Sequence, residues 1–279
     1  MSGRQAPSPA VLAAYCKAVA VHGKIGPYWE PRRCFIEPIA AFKTAACRLS
    51  LAVRALREGQ TERAQKLVDD AELTEMVEFG MPIMLSDQHH LLRWRRANSP
   101  EGLVNERDGP RKVSQPLLKR VLERDNWRCR YCGCPVVRSE AMKRLRQFLG
   151  VRLTECYGDH AAFYFMKAVA DHVQPHSWGG PTTTDNLVAA CMVCNYMRSS
   201  WLHEELGIIS PLEREPYPAD GWDGLESVMA LPAPRNPVPI EMPDINMNAW
   251  GTYKTTLAQR EIAREKERSK RRAQNTGGS

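Results

Sequence analysis

RDNWRCRYCGC (residues 124–134) and AVADHVQPHSWGGPTTTDNLVAACMVCNYMRSSW (residues 168–201) are the two halves of the stretch on which the fold of this chain turns. Each half carries a Cys-x-x-Cys knuckle, Cys129/Cys132 and Cys191/Cys194. Two such pairs are the ligand set of a closed tetrahedral zinc site. Cys134 stands close enough to compete, but the CRYCG run makes Cys129 and Cys132 the better pair. A zinc held by four thiolates has no open position, and the thiolate charge quenches its Lewis acidity. Such an ion is a structural clasp, joining elements too small to pack by themselves. The residues between and beside the knuckles carry the other signal: Asp171-His172, the turn-forming Gly179-Gly180, Asn186, and Asn195 directly after Cys194.

In order, these residues spell DHVxPxxxGGxxxxxNLxxxCxxCN, which resembles the HNH (ββα-metal, or His-Me finger) endonuclease family in its zinc-knuckle branch. The last motif position holds Asn195 where many members have His. The resemblance implies an α+β chain, mainly helical, with a ββα-metal core beside a structural four-cysteine zinc site. It implies a metal-dependent endonuclease that hydrolyses phosphodiester bonds in DNA. His172 is then the general base, since a neutral imidazole with an ordinary pKa of about 6.5 can take a proton from water. Asp171 and Asn195 become ligands to a catalytic divalent cation. Their hard oxygen donors favour Mg²⁺ or Mn²⁺. Asn186 braces the loop and orients His172. Successive strand side chains face opposite ways, so Asp171 and His172 need a local distortion to serve one phosphate.

Double-stranded DNA is the expected partner, gripped mainly by its backbone from the minor-groove side. Arg198, one helical turn past Cys194, and Arg128 and Arg130, flanking the first knuckle, are candidate phosphate contacts. His176, in the Pro175 loop, is another; for all four an ordinary structural or solvated role remains open. Two rival readings stand beside the enzyme. One is a zinc-stabilised nucleic-acid-binding or scaffold subunit without catalysis. The other is a nuclease active only inside a larger complex.

Charge is distributed in blocks. Residues 105–146 hold 12 Lys/Arg against 5 Asp/Glu, residues 202–253 hold 2 against 9, and residues 254–279 hold 8 against 3. A basic block joined to the knuckle suggests a polyanion partner. Nine cysteines are an odd number, and the opening MSGRQAPSPAVLAAY lacks a charged-then-apolar start. Cys16, Cys34, Cys47, Cys134 and Cys156 are therefore expected as free thiols in a reducing, cytoplasmic setting. No run of 18 apolar residues occurs, so no membrane span is expected.

The remaining chain divides by pattern. Residues 1–95 form a helical N-terminal region for packing, self-association or contact with a protein partner. Within it, helices are expected at 9–22, at 35–57 from apolar steps of three and four, and from a Thr61 cap to about 73. Another runs over 74–95, interrupted near Gly80-Met81-Pro82. His89-His90 lacks cysteine or carboxylate company and is not taken as a metal site. Residues 96–113 read as a linker, and 114–209 as the nuclease domain with an insertion at about 135–162. Ser114 and Ser139 are the expected caps of helices over about 115–125 and 140–149. The second of these is either a solvated surface helix or a DNA-contacting one. A strand is expected from about Phe165 to Val173, and a brief helix at 202–208. Residues 210–253, where 8 of the chain's 20 prolines lie between 210 and 245, read as an acidic, extended, non-core segment. That segment drapes over the protein or covers the basic face. Residues 254–279 read as a charged basic tail.

Overall fold

The structure, a computed structural model of the chain, describes residues 32–85, 111–150 and 160–238. All of them belong to a single compact unit. The helix expected at 9–22, His89-His90, most of the linker, the middle of the insertion and the basic tail lie outside the described residues. About half of the described residues are helical, and they include a two-stranded sheet.

α1 (Ala41–Arg57) buries Phe42, Ala45, Ala46, Leu49, Ala52 and Val53, the one-sided stripe that steps of three and four create. It starts six residues later than the apolar steps suggest. Pro38 biases Glu37 away from helix, so Phe35 and Ile36 reach the core from irregular backbone. α2 (Thr61–Asp70) packs on α1 through Ala64 and Val68. Its N-cap is Gln60 rather than Thr61, without a side-chain cap bond. α3 (Thr74–Leu85) runs unbroken through Gly80-Met81-Pro82, against expectation. Gly80 serves close packing: a Cβ there would overlap the ring of Phe165.

α4 (Gln115–Arg124) begins as expected, with Ser114 Oγ accepting from the Leu117 N–H at 3.4 Å and Pro116 in the first turn. It buries Leu118, Val121 and Leu122 and feeds into the first knuckle. There the chain folds back on itself: Cys129 N–H donates to Cys134 O at 2.9 Å and Val136 N–H to Trp127 O at 3.0 Å. α5 (Ser139–Phe148) is capped by Arg138 with no side-chain bond, so Ser139 is its first helical residue and not its cap. α6 (Ala161–Phe165) takes up Phe165, where a strand was expected to open. Buried His160 caps it, Nδ1 accepting from Ala162 N–H at 3.2 Å.

β1 (Ala168–His172) and β2 (Leu187–Cys191) pair antiparallel, from Ala168 opposite Cys191 to His172 opposite Leu187. Every β2 residue is buried. α7 (Met192–Arg198) follows β2 without a loop, and α8 (His203–Leu206) comes shortly after. The knuckle is stitched to this unit by backbone: Arg130 N–H donates to Ala189 O at 2.8 Å, and Ala168 N–H to Val137 O at 2.8 Å. Asp125 adds a side-chain stitch, accepting from Ala189 N–H at 2.7 Å and from both Arg124 and Arg130.

The acidic, proline-rich segment was expected outside the core. Over residues 211–238 it is a strap built into the body instead. Leu225 and Val228 are fully buried, and Trp222 Nε1 donates to Val136 O at 3.1 Å. Proline fixes an extended path here, and that path is covered along one side. Among the described residues no helix is long and apolar enough to cross a membrane, and no disulfide forms; Cys34 is buried and Cys47 exposed.

Candidate functional site

Cys129, Cys132, Cys191 and Cys194 come together. Their sulfurs all lie within 4.8 Å of one another, all four are buried, and Cys132 Sγ stands 3.9 Å from Cys191 Sγ. Four sulfurs at about 2.3 Å from a tetrahedral zinc would be about 3.8 Å apart, so the cluster fits the ion. Burial pushes the Cys129 thiol up, yet hydrogen bonds from Cys132, Cys134, Cys191 and Cys194 draw it well below the ordinary thiol range. Cys134 is thus a near neighbour of the cluster, while the close grouping is made by the other four. Cys191 also caps α7, its sulfur accepting from Cys194 N–H at 3.4 Å. The cysteine cluster and the start of the helix are one structure.

Asn186 closes the loop between the strands. Its Oδ1 accepts from Gln174 N–H at 2.8 Å, and its Nδ2 donates to Gln174 O at 3.0 Å and Pro181 O at 2.9 Å. Gly180 is pinned in the same place: a Cβ would overlap Gln174 O and stand 2.8 Å from Asn186 Nδ2. The loop therefore has no room for a side chain at 180, and its shape is fixed at both ends.

That loop presents Thr182, whose Oγ1 lies 2.9 Å from His172 Nε2. His172 is partly exposed, and the His176 ring stands edge-on to it at 5.8 Å. Burial, reinforced by His176, Arg111 and Arg198, pushes the His172 pKa down to about 4. The imidazole is neutral at physiological pH. Thr182 and exposed Arg111 were not anticipated, because nothing in their local sequence points to His172. His176, expected toward substrate, is buried.

Asp171 faces a different set of partners, as strand alternation requires. The ladder pairs it with Val188 and His172 with Leu187, without the distortion expected for the two to serve one phosphate. Asp171 is buried, and its Oδ2 accepts from the Tyr131 hydroxyl at 2.5 Å, with Arg198 Nε at 3.7 Å. Burial raises its pKa; Arg198 and Tyr131 oppose that rise. His203 Nε2 lies 3.0 Å from the same hydroxyl. Asn195, on α7, is half-buried. Asp171 and Asn195 thus sit on adjoining elements, and Arg198 on α7 reaches the Asp171 carboxylate.

The arginines expected on DNA are used internally. Arg198 is fully buried and donates to His172 O at 3.2 Å and Val173 O at 2.6 Å, sealing α7 against the end of β1. Arg128 pairs with Asp220 of the strap, and Arg130 donates to Pro211 O and Arg214 O. Both are buried, so their guanidinium groups are struts of the fold. Counting charge along a sequence cannot separate a basic surface from a buried arginine that meets carbonyls and carboxylates.

Among the described residues, the cysteine cluster is the grouping of three or more His, Cys, Asp or Glu side chains able to hold a metal ion. No curated protein and no solved structure matches the chain. A family model does: residues 155–200, which span both strands, the Asn186 loop and α7, match the HNH endonuclease family, and this domain suggests a nuclease-like function.

Proposed function

We propose that this chain is a metal-dependent HNH endonuclease acting on double-stranded DNA, with residues 114–209 as its nuclease domain and β1, β2 and α7 as its ββα-metal core. One observation carries the reading. A neutral, partly exposed His172 sits at the end of β1, oriented by a loop that Asn186 and Gly180 fix. At the other end of the strand pair, the four-cysteine cluster clamps the start of α7.

His172 is the general base. In this role His172 uses the tautomer whose Nε2–H donates to Thr182 Oγ1, 2.9 Å away, so that the Nδ1 lone pair takes the proton from the attacking water. His176, Arg111 and Arg198 disfavour a resident positive charge on the ring, so the base is ready at neutral pH. Asn186 acts through the backbone, holding the turn from which Thr182 reaches His172. Asp171 and Asn195 offer hard oxygen donors, a set that fits Mg²⁺ or Mn²⁺ with its remaining positions left to water and phosphate. Bound there, the divalent cation would offset charge on the scissile phosphate and the leaving oxygen. The zinc cysteines hold the fold.

The test is cleavage of supercoiled plasmid by purified, zinc-loaded protein with Mg²⁺ or Mn²⁺ and with EDTA. Nicking or linearisation that needs the added cation supports the reading. Salt-sensitive DNA binding without cleavage would turn it toward a binding subunit.

A further inference from the structure

We propose that Tyr131 and His203, both outside the matched segment, are positioning residues that hold Asp171 for its cation; the inference rests on the nuclease reading above. Tyr131 lies between Cys129 and Cys132, and His203 opens α8. Both are buried, and their rings stack at 5.8 Å and 29°. The hydroxyl of Tyr131 stands 2.5 Å from Asp171 Oδ2 and 3.0 Å from His203 Nε2.

The phenol has one proton and two neighbours. An ionised carboxylate only accepts, so the phenol proton goes to Asp171 Oδ2. Arg198 Nε lies 3.4 Å from His203 Nε2 and 3.7 Å from Asp171 Oδ2. A guanidinium Nε–H can only donate, so His203 Nε2 accepts from Arg198 and holds that charge beside the carboxylate. Asp171 therefore has two supports: Tyr131 donates to its Oδ2, and His203 holds Arg198 beside it.

The first support also explains why this tyrosine carries a polar handle. A ring needed only for packing, here tilted against Phe35 at 5.8 Å, would be served by phenylalanine. Its hydroxyl is fully buried and ties the zinc knuckle to the strand that bears the proposed site. Partners of this kind, one step behind a metal ligand, commonly change metal affinity by about 10- to 100-fold when removed.

The experiment measures Mn²⁺ binding to the zinc-loaded chain by electron paramagnetic resonance, counting the component absent from Asp171→Ala, alongside zinc content and plasmid cleavage. Tyr131→Phe is expected to retain zinc and weaken that Mn²⁺ component about tenfold. His203→Ala is expected to weaken it too, and His203→Gln, which restores an acceptor for Arg198 Nε–H, to return it to near the wild-type value. Should Tyr131→Phe lose zinc, the His203 pair decides the matter. Wild-type Mn²⁺ affinity in Tyr131→Phe or in His203→Ala overturns the proposal, and so does a wild type with no Asp171-dependent Mn²⁺ component. If the wild type binds Mn²⁺ through Asp171 but cuts no DNA, the nuclease reading fails and the positioning role still stands or falls on the affinities.

Discussion

At the scale of single residues, the buried histidines set the acid response of the fold. His160 donates from Nε2 to Val68 O at 2.9 Å and accepts at Nδ1 from Ala162 N–H, so it needs the neutral ring. Burial, with Arg146 adding, pushes its pKa down to about 4. The unfolded chain keeps a value of about 6.5 and takes up the proton first as pH falls. Stability from this group is therefore whole above about pH 6.5 and is lost as pH drops toward 4. Between pH 7 and 5 the loss should be about 2 kcal/mol. His160→Asn keeps a capping oxygen without titrating. Urea unfolding at the two pH values should show the wild type losing about 2 kcal/mol more than the variant. Equal losses would contradict the assignment. This residue had no signature in sequence, since a lone histidine before an alanine-aromatic run shows neither its cap nor its carbonyl partner.

At the scale of elements, the proposed reading makes the four-cysteine cluster, loaded with zinc, decide whether α7 forms. Seven residues are far too few for a helix to stand by itself in water, and its first turn is capped by Cys191. Cys194→Ser should drop zinc content from about one per chain toward none and should lower the urea midpoint sharply, because metal binding and folding are coupled here. Unchanged zinc and stability would show that α7 is held by other means. The knuckles were legible because Cys-x-x-Cys is a local pattern with one common use. The DH and N positions were legible through their order and spacing. Phe165 was not: aromatic and branched residues suit strands and buried helices alike. Here α6 packs into the body and β1 begins only at Ala168. The grouping of Asp171, Tyr131 and His203 was also out of reach, since its members come from three separate elements.

At the scale of the whole molecule, the sequence offered a segment that drapes over the protein or covers the basic face, but not the buried anchors that build it into the body. Its prolines announced extended backbone, and its acidic residues announced solvent. The structure instead runs it from the zinc knuckle, where the Tyr217 hydroxyl donates to Tyr131 O at 3.0 Å, to α5, where Arg144 donates to Leu231 O at 2.6 Å. Arg138 and Glu226 make a two-pronged pair along the way, both bonds 2.8 Å. Glu226→Ala should cost about 2 kcal/mol in urea unfolding, less than the 3–5 of a fully buried pair, because Glu140 stays 3.8 Å from Arg138 as a second partner. No change would mean the strap is a loose cover. Charge blocks thus described complementary faces within one body. The central claim, that this body presents His172 as the base of a DNA-cutting site, is tested most directly by comparing His172→Ala with the wild type in single-turnover cleavage of plasmid, both zinc-loaded and equally folded. The account predicts cation-dependent cleavage by the wild type and a loss of at least about 100-fold in the variant. Cleavage by the variant at the wild-type rate would contradict it.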